Sequence, residues 1–139
     1  MRVFIAYSDC YREDNVLSFL PDDATWVFIP MDKKYHKFIE HCIKKNIPIT
    51  VVPVSWMGSD FGATMSVMEV ISHVDKAVVC WDGGYDEAMD AKVACRVLKI
   101  PCKIALDYNY HYGKEFPTFF NSVEECERYE ASFDEREKG

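Results

Sequence analysis

The sequence predicts an α/β domain built on a five-stranded parallel sheet, strand order 3-2-1-4-5, with helices on both faces. Three observations carry this expectation. Short apolar runs of strand length alternate along the chain with segments whose apolar residues recur at helical spacing. The stretch VDKAVVCWDGGYDEAMDAKVACRVLKIP, residues 74–101, reads as strand, turn, helix and turn, and a further strand follows it. Right-handed crossovers then leave few topologies other than this order. They put the switch point between the strands ending at Tyr7 and Trp81, at the carboxyl edge where open α/β sheets place their ligands.

Arg2 to Tyr7 is an apolar run suited to a central parallel strand, with Ser8-Asp9-Cys10 as its carboxyl-edge loop. Val16, Leu17, Phe19 and Leu20 suggest a short helix capped by Asp14 or Asn15 and stopped by Pro21. Thr25 to Ile29 is the second strand. Asp32 is placed to cap a helix in which Tyr35, Phe38, Ile39, Cys42 and Ile43 form one apolar face, with Asn46 as its C-cap. Ile47 to Val54 is the third strand. Ser59 or Asp60 caps a helix running to about Ser72, with Met65, Met68 and Ile71 inward.

Lys76 to Trp81 is the fourth strand, stopped by Asp82-Gly83-Gly84. In the helix that follows, Ala88, Ala91, Cys95 and Leu98 recur at helical spacing, and Met89, Val93 and Val97 widen the apolar face. Lys99-Ile100-Pro101 ends it, because proline disfavours helical geometry in the residue before it. Cys102 to Leu106 is the fifth strand. An aromatic loop from Asp107 to Phe116 comes next, and Ser122-x-x-Glu125 forms a capping-box pattern for a last helix with Val123, Cys126 and Phe133 as contacts. The expected division is therefore a sheet domain over residues 1–106, with an aromatic loop and C-terminal helix over 107–139 packing on it.

A chain of 139 residues, half of them apolar, is large enough for one domain with a real core. Its net charge of −7 argues against a general nucleic-acid or anionic-membrane surface, since such binding rests on clustered lysine and arginine. No signal peptide or membrane span is visible. The six cysteines form no CxxC pair and several fall at core positions, which reads as buried thiols in a reducing cytoplasm. The histidines His36, His41, His73 and His111 have no metal-ligand spacing, and nothing in the chain calls for a cofactor.

The run Val51-Val52-Pro53-Val54-Ser55-Trp56, a Gly/Ala-opened helix, Val74-Asp75 leading into a hydrophobic strand, then Trp81-Asp82-Gly83 and a helix ending in Lys99-Ile100-Pro101 resemble the SLOG superfamily. This Rossmann-like group includes the SMF and LOG proteins and small stand-alone domains. The resemblance covers roughly Arg2 to Leu106. It implies a Rossmann-like three-layer fold and recognition of a nucleotide-derived ligand, of ADP-ribose or cyclic-nucleotide type, at the carboxyl edge. The chain departs from the family at three turns, which read Ala6-Tyr7-Ser8-Asp9, Pro30-Met31-Asp32-Lys33 and Tyr85-Asp86-Glu87, and early in the third helix, at Met65-Ser66. Phosphate cradling by bare backbone needs glycine, and the glycine-rich motif of LOG-type phosphoribohydrolases is absent. More weakly, Tyr7 with Asp86, Glu87 and Asp90 is similar to the layout of nucleoside deoxyribosyltransferases, which use a carboxylate nucleophile.

The candidate ligand contacts are Tyr7, Ser8, Asp9, Lys33, Lys34, Trp56, Trp81, Asp82, Gly83, Gly84 and Tyr85. Trp81 either stacks a base or is a core side chain, and Asp82 either accepts ribose hydroxyls or bonds its own turn. Lys33 and Lys34 offer positive charge in the first turn of a helix, or simply a solvated face. Glu87 and Asp86 are the catalytic candidates if the protein is an enzyme. The leading expectation is a cytoplasmic homo-oligomer that senses or sequesters a nucleotide-derived small molecule, without nucleic-acid or membrane partners. The alternatives are an N-glycosidase or deoxyribosyltransferase-like enzyme, and a non-catalytic protein-binding inhibitor or adaptor.

Overall fold

A computed structural model describes residues 1–8, 11, 13–53, 67–84, 87–106 and 118–138. It is an α/β fold on one mixed sheet. In chain order the elements are β1 (Arg2–Tyr7), α1 (Glu13–Ser18), β2 (Trp26–Pro30), a 3-10 turn (Lys33–Tyr35) leading into α2 (His36–Lys44), and β3 (Ile49–Val52). The helical residues 67–71 (α3) follow, then β4 (Lys76–Trp81), α4 (Glu87–Leu98), β5 (Cys102–Leu106), β6 (Thr118–Phe120) and α5 (Val123–Lys138).

The sheet has six strands in the order β3-β2-β1-β4-β5-β6. This corrects the five-stranded, all-parallel expectation: β6 runs antiparallel to β5, with Ala105 opposite Phe119 and Ile104 opposite Phe120. The other pairs are parallel, and β1 lies between β2 and β4 with Phe4 level with both Phe28 and Ala77. Alternation along each strand divides the core into two layers. On one face Phe4, Ala6, Val79, Trp81, Ile104 and Leu106 pack under α3, α4 and α5. On the other, Val3, Ile5, Tyr7, Val27, Ile29 and Cys80 pack under α1 and α2. The close approach of α4 follows from its buried face, where Ala88, Ala91 and Ala94 leave little but backbone between helix and sheet.

Caps follow the sequence closely. Asp32 accepts the backbone N–H of Lys34 at 3.1 Å, although it caps the 3-10 turn rather than α2 itself. Asn46 and Lys99 both adopt left-handed backbone, at φ 58° and 57°, where α2 and α4 end. Ser122 Oγ accepts the Glu125 N–H at 3.2 Å, while Glu125 Oε2 reaches back to the N–H of Asn121 at 3.1 Å.

Several boundaries differ. α1 begins at Glu13 and closes at Ser18, so Phe19 and Leu20 lie in the turn that follows. β2 extends to Pro30, which pairs with Val52, and β3 is shortened to Ile49–Val52 between Pro48 and Pro53. Two residues predicted inward are exposed: Ile43, on the last turn of α2 beside the buried Phe38–Cys42 line, and Val97 on the outer side of α4. Among the described residues no helix is long and apolar enough to cross a membrane.

Candidate functional site

The carboxyl ends of β1 and β4 are tied together by main chain and by one hydroxyl. The N–H of Ser8 donates to the carbonyl of Cys80 at 2.7 Å, and the N–H of Asp82 donates to Ser8 Oγ at 3.1 Å. Ser8 is fully buried, so its hydroxyl does the satisfying work that water would otherwise do at a strand end. Tyr11 extends the tie to β5, with its hydroxyl 2.7 Å from the carbonyl of Ala105 and 3.4 Å from that of Trp81.

The turn after β4 is stabilised from within. Asp82 Oδ1 accepts the N–H of Gly84 at 2.8 Å, and Trp81 Nε1 donates to the carbonyl of Gly84 at 2.7 Å. Gly83 sits at φ 89°, which explains a glycine at the apex. The Trp81 indole is only 3% exposed, and the Lys92 ammonium lies 4.3 Å from its ring centre. Trp81 is thus a core side chain rather than an open stacking platform, and Asp82 Oδ1 is engaged by its own turn. Both are the structural reading that the sequence left open.

Charge enters this edge from two other elements. Lys34, in the turn after β2, forms an ion pair with Glu87, the first residue of α4. Lys34 Nζ also lies 5.4 Å from the Tyr7 ring centre and 5.6 Å from that of Tyr35. The two tyrosines are locked together, with ring centres 4.5 Å apart; the Tyr35 hydroxyl accepts the N–H of Tyr7 at 3.2 Å, and the Tyr7 hydroxyl donates to the carbonyl of Lys34 at 2.7 Å. Glu87 is 7% exposed, and Lys34 Nζ is the only partner of its Oε1 among the described residues. A carboxylate at a helix start is favoured by the local dipole, and the lysine offsets the rest of its desolvation.

Of the predicted site residues, Tyr7, Ser8, Lys34, Trp81, Asp82, Gly83, Gly84 and Glu87 gather at this edge. Lys33 is exposed beside Lys34. Asp9, Trp56, Tyr85 and Asp86 lie outside the described residues, as do residues 54–66, with the start of the helix predicted from Ser59 or Asp60, and residues 107–117, with His111. Sequence reasoning missed three contributors: Tyr11, Tyr35 and Lys92. Tyr35 lies in the core, as its spacing predicts, and its hydroxyl also reaches the end of β1.

No group of metal-ligating side chains occurs among the described residues. The described cysteines Cys42, Cys80, Cys95, Cys102 and Cys126 are buried and form no disulfide. Burial, with Lys45 opposing it, raises the Cys42 thiol. Hydrogen bonding with Cys95, followed by burial, holds Cys102 well above the usual range, and burial followed by the Glu130 carboxylate pushes Cys126 up to about 12. Those three remain thiols near neutrality and supply no nucleophile. No protein-family model, no curated protein and no solved structure matches the chain.

Proposed function

We propose that the protein binds a nucleotide-derived small molecule, of ADP-ribose or cyclic-nucleotide type, at the carboxyl edge between β1 and β4, and that it senses or sequesters this ligand as a homo-oligomer. The observation that carries the reading is the Lys34–Glu87 pair, which brings opposite charges from two separate elements to the strand ends beside Tyr7. An ion pair this little exposed is a weak source of stability, because desolvation consumes most of its attraction. Its location favours a site that carries its own counter-ion: an anionic ligand group takes Lys34 over from Glu87, and the released carboxylate accepts ligand hydroxyls. The resemblance of the Trp81-Asp82-Gly83 turn and its flanking elements to SLOG domains supports the same class of ligand.

Binding without turnover is favoured, because no nucleophile, base and orienting residue come together among the described residues. One observation supports a second reading. Glu87 is buried and its lysine partner stands over the Tyr7 ring, as a carboxylate nucleophile beside an aromatic would require in an N-glycosidase.

A thermal-shift screen against ADP-ribose, NAD, cyclic ADP-ribose isomers and cyclic dinucleotides tests both, with each compound analysed chromatographically afterwards. A ligand at about 100 times its Kd stabilises the native state by roughly 2.7 kcal/mol. Stabilisation by a compound recovered intact, lost in Lys34→Met, is the expected result. Recovery of a cleaved compound replaces it with the glycosidase reading. Absence of any shift removes the small-molecule reading and leaves a protein partner.

A further inference from the structure

A second concave surface lies on the α3 face of the sheet, over β1, β2 and β3. Alternation and register put Arg2 of β1, Trp26 and Phe28 of β2, and Thr50 and Val52 of β3 on one face. Beside that face stands the flank of α3 and its following turn, with Glu69, Val70 and His73. Together with Pro53 these side chains line a groove of about 540 Å³, a volume typical of small-molecule sites.

The floor is a fixed aromatic shelf. The Trp26 and Phe28 rings stack with centres 5.7 Å apart and 15° between their planes, and Trp26 Nε1 donates to Thr50 Oγ1 at 2.8 Å. Even so, Trp26 is 39% exposed, unusual for an indole on a sheet face. The Arg2 guanidinium lies 5.5 Å from the indole centre, and the Arg2 N–H is anchored to Asp75 Oδ2 at 2.9 Å. None of the ion pairs among the described residues uses Arg2 or Glu69. The guanidinium over the indole and the Glu69 side chain therefore border an apolar, pre-oriented ring surface.

We propose that this groove binds a guanine base carried on a nucleoside. The stacked rings supply a π-face for a planar heterocycle. A guanidinium matches the paired O6 and N7 acceptors of guanine, and a carboxylate matches the amino and ring N–H donors on its opposite edge. Adenine presents an amino donor where guanine has O6, and so turns a hydrogen toward the arginine. The groove volume exceeds that of a bare base and leaves room for the ribose. This site is separate from the Ser8–Asp82 edge and does not depend on the function proposed there.

The test is calorimetric titration of guanosine and of adenosine into the full chain, repeated for Glu69→Gln, Trp26→Leu and Lys34→Met, with sedimentation velocity on each. Guanosine is expected to bind at least about tenfold more tightly than adenosine. Glu69→Gln, an exposed substitution that leaves the core intact, should remove that preference, and Trp26→Leu should abolish binding of both. Lys34→Met should leave guanosine binding unchanged, which separates this groove from the carboxyl edge. The proposal is overturned if folded wild-type protein does not bind guanosine saturably, or if Glu69→Gln leaves the preference intact. It is equally overturned if sedimentation shows a dimer that Trp26→Leu dissociates, since the groove then belongs to a second copy of the chain.

Discussion

The Lys92 ammonium lies 4.3 Å from the centre of the Trp81 ring and 3.0 Å from Glu130 Oε1, joining the last core residue of β4 to the C-terminal helix. The lysine side chain is only 8% exposed, so its charge depends on those two partners. Glu130→Ala should therefore cost about 1–2 kcal/mol by leaving a desolvated ammonium without its carboxylate. The double variant Lys92→Met/Glu130→Gln removes the charge along with its partner and should recover most of that loss. Urea denaturation of both variants checks this. Equal destabilisation of the single and double variants would show that packing, not charge, governs the contact.

Lys33 and Lys34 are adjacent in sequence but differ in what they touch. Lys33 is exposed, while Lys34 pairs with the buried Glu87. Lys34→Met is expected to destabilise the protein by about 1–3 kcal/mol, because an uncompensated carboxylate remains at the start of α4. Lys33→Met should fall within about 0.5 kcal/mol of wild type, as an ordinary surface substitution does. Chemical denaturation of the two variants side by side makes the comparison. A loss of similar size in both would mean that the Lys34–Glu87 pair is solvated and weak.

These two contacts also mark where sequence reading stops. The strands Arg2–Tyr7, Lys76–Trp81 and Cys102–Leu106 were legible to the residue, since a strand buried on both faces is a continuous apolar run between turn residues. β6 was not legible. It is three residues long, too short for any period, and is held by antiparallel pairing with β5. Glu87 and Tyr7 were identifiable from their positions at a helix start and a strand end, but nothing local indicated that Lys34 would meet the one and lie over the other. Lys92 is similar: a lysine on an alanine-rich helix reads as solvated, and the carboxylate that allows its burial lies 38 positions away. For Trp81 the sequence left two roles open, and the choice was made by Lys92 over the ring and by the bond to Gly84, both set by tertiary packing.

Ser8 and Tyr11 hold the strand ends through single hydroxyls. Ser8→Ala removes the acceptor for the Asp82 N–H in a fully buried position, and Tyr11→Phe removes the donor to the Ala105 carbonyl. Each should cost about 1–3 kcal/mol, the penalty for a buried backbone group left without a partner. Hydrogen exchange provides the local readout: protection of the Asp82 amide should fall in Ser8→Ala and remain near wild type in Tyr11→Phe. Unchanged protection in Ser8→Ala would mean that another acceptor satisfies that amide.

The buried thiols give the fold a defined alkaline limit. Cys126 is raised from 9.0 to about 12, chiefly by burial and then by the Glu130 carboxylate, and Cys42 and Cys102 are raised as well. A thiol whose folded value exceeds its unfolded value holds its proton in the native state after the unfolded chain has lost it. Its contribution is fully present below pH 9.0 and is lost as pH climbs toward about 12. Across that window Cys126 lowers stability by up to about 1.4 kcal/mol per pH unit. Urea titrations at successive pH values from neutrality upward, under reducing conditions, should show a plateau followed by a steep decline. Cys126→Ala lowers the plateau by opening a small cavity but should make the decline shallower by one proton. A decline of unchanged slope in that variant would assign the alkaline limit to Cys42 and Cys102 and show that Cys126 ionises inside the fold near its ordinary value.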